Sequence, residues 1–143
     1  MAVAIDYPYG ASGIHQKISQ MTSAVYSGAN EVDVVMSYSD YKESSKKFKK
    51  DIRYLSTIAH NVRAKIKIII PTKLLTIEET IEIIKLCASL EVDYIRSIES
   101  GPKKPLKDLI QELNELETRW KEFGGGHMND YARYQQQLKS LIY

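Results

Sequence analysis

A chain of 143 residues, 43% hydrophobic and 27% charged, is long enough to bury one core and too mixed in composition for a disordered or membrane-embedded protein. The formal charge of +2 is spread among acids along most of the chain, which argues against nucleic acid as a partner. No apolar window is long enough to span a bilayer, and the N-terminus lacks a basic stretch followed by a long apolar run, so a cytoplasmic protein without a secretory signal is expected.

Apolar runs of strand length alternate with longer segments of helical period. Residues 3–5 read as a first strand, followed by Tyr7-Pro8-Tyr9-Gly10 and a helix over about 13–27. Residues 31–36 form the second strand, and Ser39 or Asp40 can cap a long helix reaching about His60. Residues 65–70 form the third strand, which stops at Pro71 because proline cannot donate to a ladder. Thr76 with Glu79 three residues on is a capping-box pattern for the next helix, and residues 92–95 are the fourth strand. A unit of roughly 25–35 residues is the size of a βα repeat, so the sheet is expected to be parallel with helices packed against it.

After Ser100-Gly101-Pro102 the character changes. From Pro105 the spacing places Leu106, Leu109, Ile110, Leu113, Leu116, Trp120 and Phe123 on one helical face. A Gly-rich joint at 124–128 leads to a shorter amphipathic helix over 129–143, with Tyr131, Tyr134, Leu138 and Leu141 in its stripe. Gly-His-Met within the joint has the form of a cloning junction, so a natural helical hairpin and a fused segment both stay open.

The basic residues between Lys42 and Lys50 read as a solvated face, and the lone Cys87 as a buried thiol on an apolar helix face. His15, His60 and His127 show no metal-ligand spacing, and there is no Gly-x-Gly-x-x-Gly or Walker-type loop, so neither metal nor cofactor is expected.

Four ordered pieces carry a resemblance. They are Tyr7-Pro8-Tyr9-Gly10, the segment Gly28-Ala29-Asn30-Glu31-Val32-Asp33-Val34-Val35, then Lys67-Ile68-Ile69-Ile70-Pro71-Thr72, and Val92-Asp93-Tyr94-Ile95-Arg96-Ser97. Together they make residues from about 4 to 101 resemble the central portion of the 2-deoxyribose-5-phosphate aldolase family, class I aldolases that work through a lysine imine. The resemblance implies a (β/α) barrel and carries the proton-relay aspartate onto Asp33. It places the imine-forming lysine at Arg96. Guanidinium stays protonated, with a pKa above about 12, so Arg96 cannot be that nucleophile. It can hold a phosphate, pair with Asp33 or pair with another nearby acid, the last being favoured. Pro71 stands where the family has an acid, and nothing after Gly101 reads like the strands that carry the second lysine and the phosphate site. Lys73, on the same rim as Asp33, is the substitute amine to weigh, against its reading as an exposed loop lysine.

The expected fold is thus α/β: a partial (β/α) barrel of four parallel strands with flanking helices over 1–101, an amphipathic helix over 102–123 packed on it, the joint at 124–128 and the short helix 129–143. Four parallel strands cannot close a barrel. A fuller barrel by self-association, a flattened doubly wound sheet, or C-terminal helices folded over an edge can complete it. A flattened sheet with the long helix packed on it is favoured, with a dimer as complement. Leu113, Leu116, Trp120, Phe123, Tyr131, Tyr134 and Leu138 are the residues expected at an apolar interface. Functionally, the expectation is an aldolase-like protein without the chemistry, serving as an interaction or structural module with a homo-oligomeric or protein partner. The alternative is a working lyase that takes the sugar phosphate 2-deoxyribose 5-phosphate to acetaldehyde and glyceraldehyde 3-phosphate.

Overall fold

The computed structural model describes residues 1–7, 9–99, 103–122 and 128–142, the last stretch with side chains from Tyr131 onward. Phe123 and most of the Gly-rich joint lie outside these residues. In chain order the elements are β1 (Ala2–Ile5), α1 (Ile14–Tyr26), β2 (Glu31–Val35), α2 (Tyr38–Glu43), α3 (Ser45–Asn61), β3 (Lys65–Ile70), α4 (Ile77–Ser89), β4 (Tyr94–Ser97), β5 (Lys104–Pro105), α5 (Leu106–Glu122) and α6 (Met128–Ile142). A 3-10 turn over Thr72–Leu74 separates β3 from α4.

The strands lie in the order β1-β2-β3-β4-β5, with β1 to β4 parallel as the βα alternation predicts. The two-residue β5 was not expected. It runs antiparallel to β4, pairing Lys104 with Ile95 and Pro105 with Tyr94. The capping box at Thr76 and Glu79 is formed in both directions.

One long helix was expected after β2, and the structure breaks it in two. Ser37, not Ser39 or Asp40, starts α2 by accepting a hydrogen bond from the Asp40 N–H at 3.1 Å. Ser44 then turns extended, at φ −157° and ψ 105°, and caps α3 by accepting from the Lys47 N–H at 3.2 Å. A serine that bonds to the backbone two or three residues ahead competes with helix continuation, so a run rich in serine can stop and restart.

Alternation along the strands gives the sheet two unlike faces. Val3, Ile5, Val32, Val34, Ile66, Ile68, Ile70 and Ile95 point to the helices and join one core with Met21 of α1, Ile52 and Leu55 of α3, Ile83 and Cys87 of α4, and Leu109 and Leu113 of α5. Burial pushes the Cys87 thiol up to about 12, in keeping with an inert buried cysteine. On the other face Val35 and Ile69 are buried yet lie outside that core. Among the described residues the helices therefore cover one face, as in an unclosed barrel segment. The flattened doubly wound sheet, which needs helices on both faces, is not what forms.

The C-terminal helices close part of the structure. Leu106, Leu109, Leu113 and Leu116 of α5 are buried in the core. Helix α6 lays Leu138 and Ile142 on the same core, and the Trp120 ring stacks on Tyr134 at 4.8 Å and lies 5.9 Å from Tyr131. The Lys104 ammonium donates to the Leu141 carbonyl at the end of α6, satisfying one of the carbonyls that a helix C-terminus leaves without a partner.

Candidate functional site

The face turned away from the helices carries the charged side chains. Register places Ala4, Asp33, Lys67 and Tyr94 in one row across β1 to β4, and Val35, Ile69 and Arg96 in the row nearer the C-terminal ends. Asp33 is 9% exposed, and its Oδ2 lies 3.1 Å from the Lys67 ammonium. Lys67 also approaches Glu31 Oε2 at 3.8 Å, and Lys103 donates to Glu31 Oε1 at 2.7 Å while sitting 4.1 Å above the Tyr94 ring. Two acids and two lysines thus form a connected set.

Burial raises the Asp33 pKa, and the neighbouring Glu31 carboxyl raises it further against the pull of Lys67. Burial works on Glu31 in the same direction, but hydrogen bonds from Lys103 and from Asp33 outweigh it and hold Glu31 below the usual carboxylate range. The other Asp33 oxygen, Oδ1, is buried without a donor among the described residues. A proton held on Asp33 would supply the donor that this carboxyl pair lacks. A buried carboxyl with a raised pKa beside an ammonium has the parts for proton transfer, so acid/base work at Asp33 is chemically open.

Arg96 does not pair with Asp33, whose partner is Lys67. Nor does it pair with another acid among the described residues, contrary to the favoured expectation. Its Nε is buried without a hydrogen-bond partner among the described residues. The physical reason lies in the register: Arg96 shares its row with Val35 and Ile69, both apolar, while Asp33 sits two strands away and one row back.

On the rim at the C-terminal ends of β3 and β4, the Glu99 carboxylate ties the strands together. It accepts from Thr72 Oγ1 at 2.8 Å, from Ser97 Oγ at 2.7 Å and from the Lys73 N–H at 3.4 Å. Burial would raise the Glu99 pKa, but these hydrogen bonds outweigh it and lower it. The Lys73 side chain is exposed, on the 3-10 turn. Lys17 of α1 is 2% exposed and reaches the loop after β1, donating to the Asp6 carboxylate and to the carbonyls of Gly10 at 2.8 Å and Ser12 at 2.9 Å.

The residues expected at an apolar interface divide. Leu113, Leu116 and Leu138 are buried within the chain, Trp120 and Tyr134 stack on one another half-buried, and Tyr131 is 45% exposed. The chain's own core takes up the three leucines, which are therefore not an open surface. Lys67, Glu31, Lys103 and Glu99 were missed. The signal for the first two was present: acids and lysines at alternate positions in Glu31-Val32-Asp33 and Lys65-Ile66-Lys67 put like residues on one face of each strand.

No family model matches the chain. Among curated proteins, deoxyribose-phosphate aldolase 1 of Oceanobacillus iheyensis is 35% identical over 98 residues, covering 68% of this chain and 44% of that protein. Deoxyribose-phosphate aldolase of Aciduliprofundum boonei is 32% identical over the same length. Among solved structures, a protein from Coccidioides immitis assigned as a deoxyribose-phosphate aldolase superposes with a TM-score of 0.63 at 28% identity, over 76% of this chain and 43% of that one. The tetrameric deoxyribose phosphate aldolase from Aeropyrum pernix, at 18% identity and a TM-score of 0.61, supports the fold alone. The chain spans less than half the length of these relatives. Its sequence and its one-sided parallel sheet agree: over about two thirds of its length this chain is a relative of the deoxyribose-phosphate aldolases.

Proposed function

We propose that the chain is an aldolase-like scaffold that does not form an imine and serves as an interaction or structural module. The observation that carries this reading is Arg96 on the polar face of the sheet, at the position the resemblance gives to the reactive lysine. A guanidinium cannot lose its charge near neutral pH to attack a carbonyl. The lysines nearby do not replace it well. Lys67 is already engaged between Asp33 and Glu31, and Lys73 is exposed to water, with its backbone but, among the described residues, not its amine engaged on the rim.

The test is covalent trapping. Incubation with acetaldehyde or deoxyribose 5-phosphate followed by borohydride should leave the intact mass unchanged apart from scattered surface alkylation. A single adduct in high yield on Lys67 or Lys73 would establish the working aldolase instead.

The module reading includes self-association, supported by the β1 edge, which has no strand beyond it among the described residues. The tetrameric Aeropyrum pernix protein is a precedent for assembly on this fold. Light scattering should give the mass of two or more chains at micromolar concentration, and a mass of one chain would count against assembly.

A further inference from the structure

Among the described residues, every charged side chain of the polar face but one has a counter-charge nearby. Asp33 is answered by Lys67 at 3.1 Å and Glu31 by Lys103 at 2.7 Å, so the two acids are already matched by two lysines. Lys65 of the same face lies 3.8 Å from Asp93 Oδ1. Arg96 is a further cation of this face, and no carboxylate among the described residues lies within salt-bridge distance of it. Glu99 is the acid nearest to it in sequence. Its Oε2 is occupied by the hydroxyls of Thr72 and Ser97, and its Oε1 faces the Lys73 N–H. The buried Arg96 Nε has no acceptor among the described residues.

A donor on a charged group that is withdrawn from water and left unmatched is costly, and proteins normally supply a counter-group. Arginine presents its donors as a planar fork that fits two oxygens of one carboxylate or phosphate at once. The neighbours of Arg96 in its row, Val35 and Ile69, are apolar and add no competing acceptor side chain.

We propose that Arg96 anchors an oxyanion site on the polar face, taking the carboxylate or phosphate group of a small ligand with one oxygen on Nε–H and a second on the adjoining Nη. The inference goes beyond the module reading and does not depend on it, because an oxyanion can bind whether or not an imine forms elsewhere.

The Nε–H of an arginine gives its own nitrogen-correlated proton resonance, so the atom in question can be watched directly. The full chain, nitrogen-15 labelled, is titrated in separate arms with inorganic phosphate and with propionate, ionic strength being held constant with chloride. A saturating shift of the Arg96 Nε–H signal in either arm is expected, and the arm that saturates first identifies the oxyanion class. Arg96→Lys, which keeps the charge and loses the fork, should weaken binding about tenfold, and Arg96→Met should abolish it, while Lys107→Met on the exposed face of α5 retains it. No saturating shift in either arm, a shift reproduced by chloride alone, or full affinity in Arg96→Met would overturn the proposal. Should Arg96→Met fail to fold, the titration of the unaltered chain still decides.

Discussion

Lys17→Met is expected to cost about 3–5 kcal/mol of folding stability, the range for breaking a buried ion pair by removing one partner. The lysine is 2% exposed, and its ammonium donates to three acceptors: the Asp6 carboxylate and the carbonyls of Gly10 and Ser12. Methionine fills a similar volume and donates to none of them. The two carbonyls would be left without this donor, and Asp6 would keep the Ser12 N–H at 2.9 Å as its remaining hydrogen bond. The pH dependence gives an independent check. Burial raises the Asp6 pKa, but the hydrogen bonds from Lys17 and Ser12 outweigh it and leave it lowered in the folded chain. A carboxyl depressed in this way stabilises the fold above its unfolded pKa, and that contribution is lost as pH falls through the lower folded value. Urea denaturation across acid pH should therefore show a steep acid limb in the parent chain and a flatter one in Lys17→Met. A loss below about 1 kcal/mol, within the range of an ordinary surface pair, would show that Lys17 is not needed to hold the loop.

Gly10→Ala acts on the same loop from the backbone side and should cost about 3 kcal/mol or more, the strain of a left-handed residue plus a backbone clash. Gly10 has φ +64°, and a Cβ built on it would stand 2.6 Å from the Val35 carbonyl oxygen and 2.9 Å from its carbon. The left-handed backbone alone accounts for roughly 1–2 kcal/mol with a side chain present. The remainder comes from pushing the loop off the end of β2, because the atoms it meets are backbone rather than a pliable side chain. Gly28 separates the two terms: its φ is +103°, but nothing among the described residues lies within 4 Å of an added methyl, so Gly28→Ala should cost about 1–3 kcal/mol from strain alone. Thermal or urea unfolding of both variants would give the larger loss to Gly10→Ala. The opposite order would mean that the loop yields easily and that its approach to Val35 does not constrain it.

Much of the fold was legible because it follows from local chemistry. The alternation of strand and helix periods fixed four parallel strands, and the Thr76 and Glu79 pattern marked a helix start that both side chains cap. The interruption at Ser44 was harder, since several serines in one stretch can each serve as a cap, and the choice among them depends on tertiary packing. The strand Lys104–Pro105 is too short to leave any periodic trace. In the candidate site, Asp33 could be picked out by resemblance and by its place on a strand. Its pairing with Lys67 required the register between β2 and β3, which no single segment contains. Arg96 was expected to pair with a nearby acid. The row it occupies decided otherwise, and alternation alone does not say which rows hold acids.

The two borders of the sheet differ, and the difference sets how it can grow. The short antiparallel β5 occupies the β4 border over Tyr94 and Ile95, whereas β1 has no neighbour on its outer side among the described residues. Strand addition that leaves β5 in place would use β1 twice, once from each copy, related by a two-fold axis. Such a union is self-limiting: it consumes the open border of both molecules and leaves no template for a third, so it ends as a pair rather than a fibre.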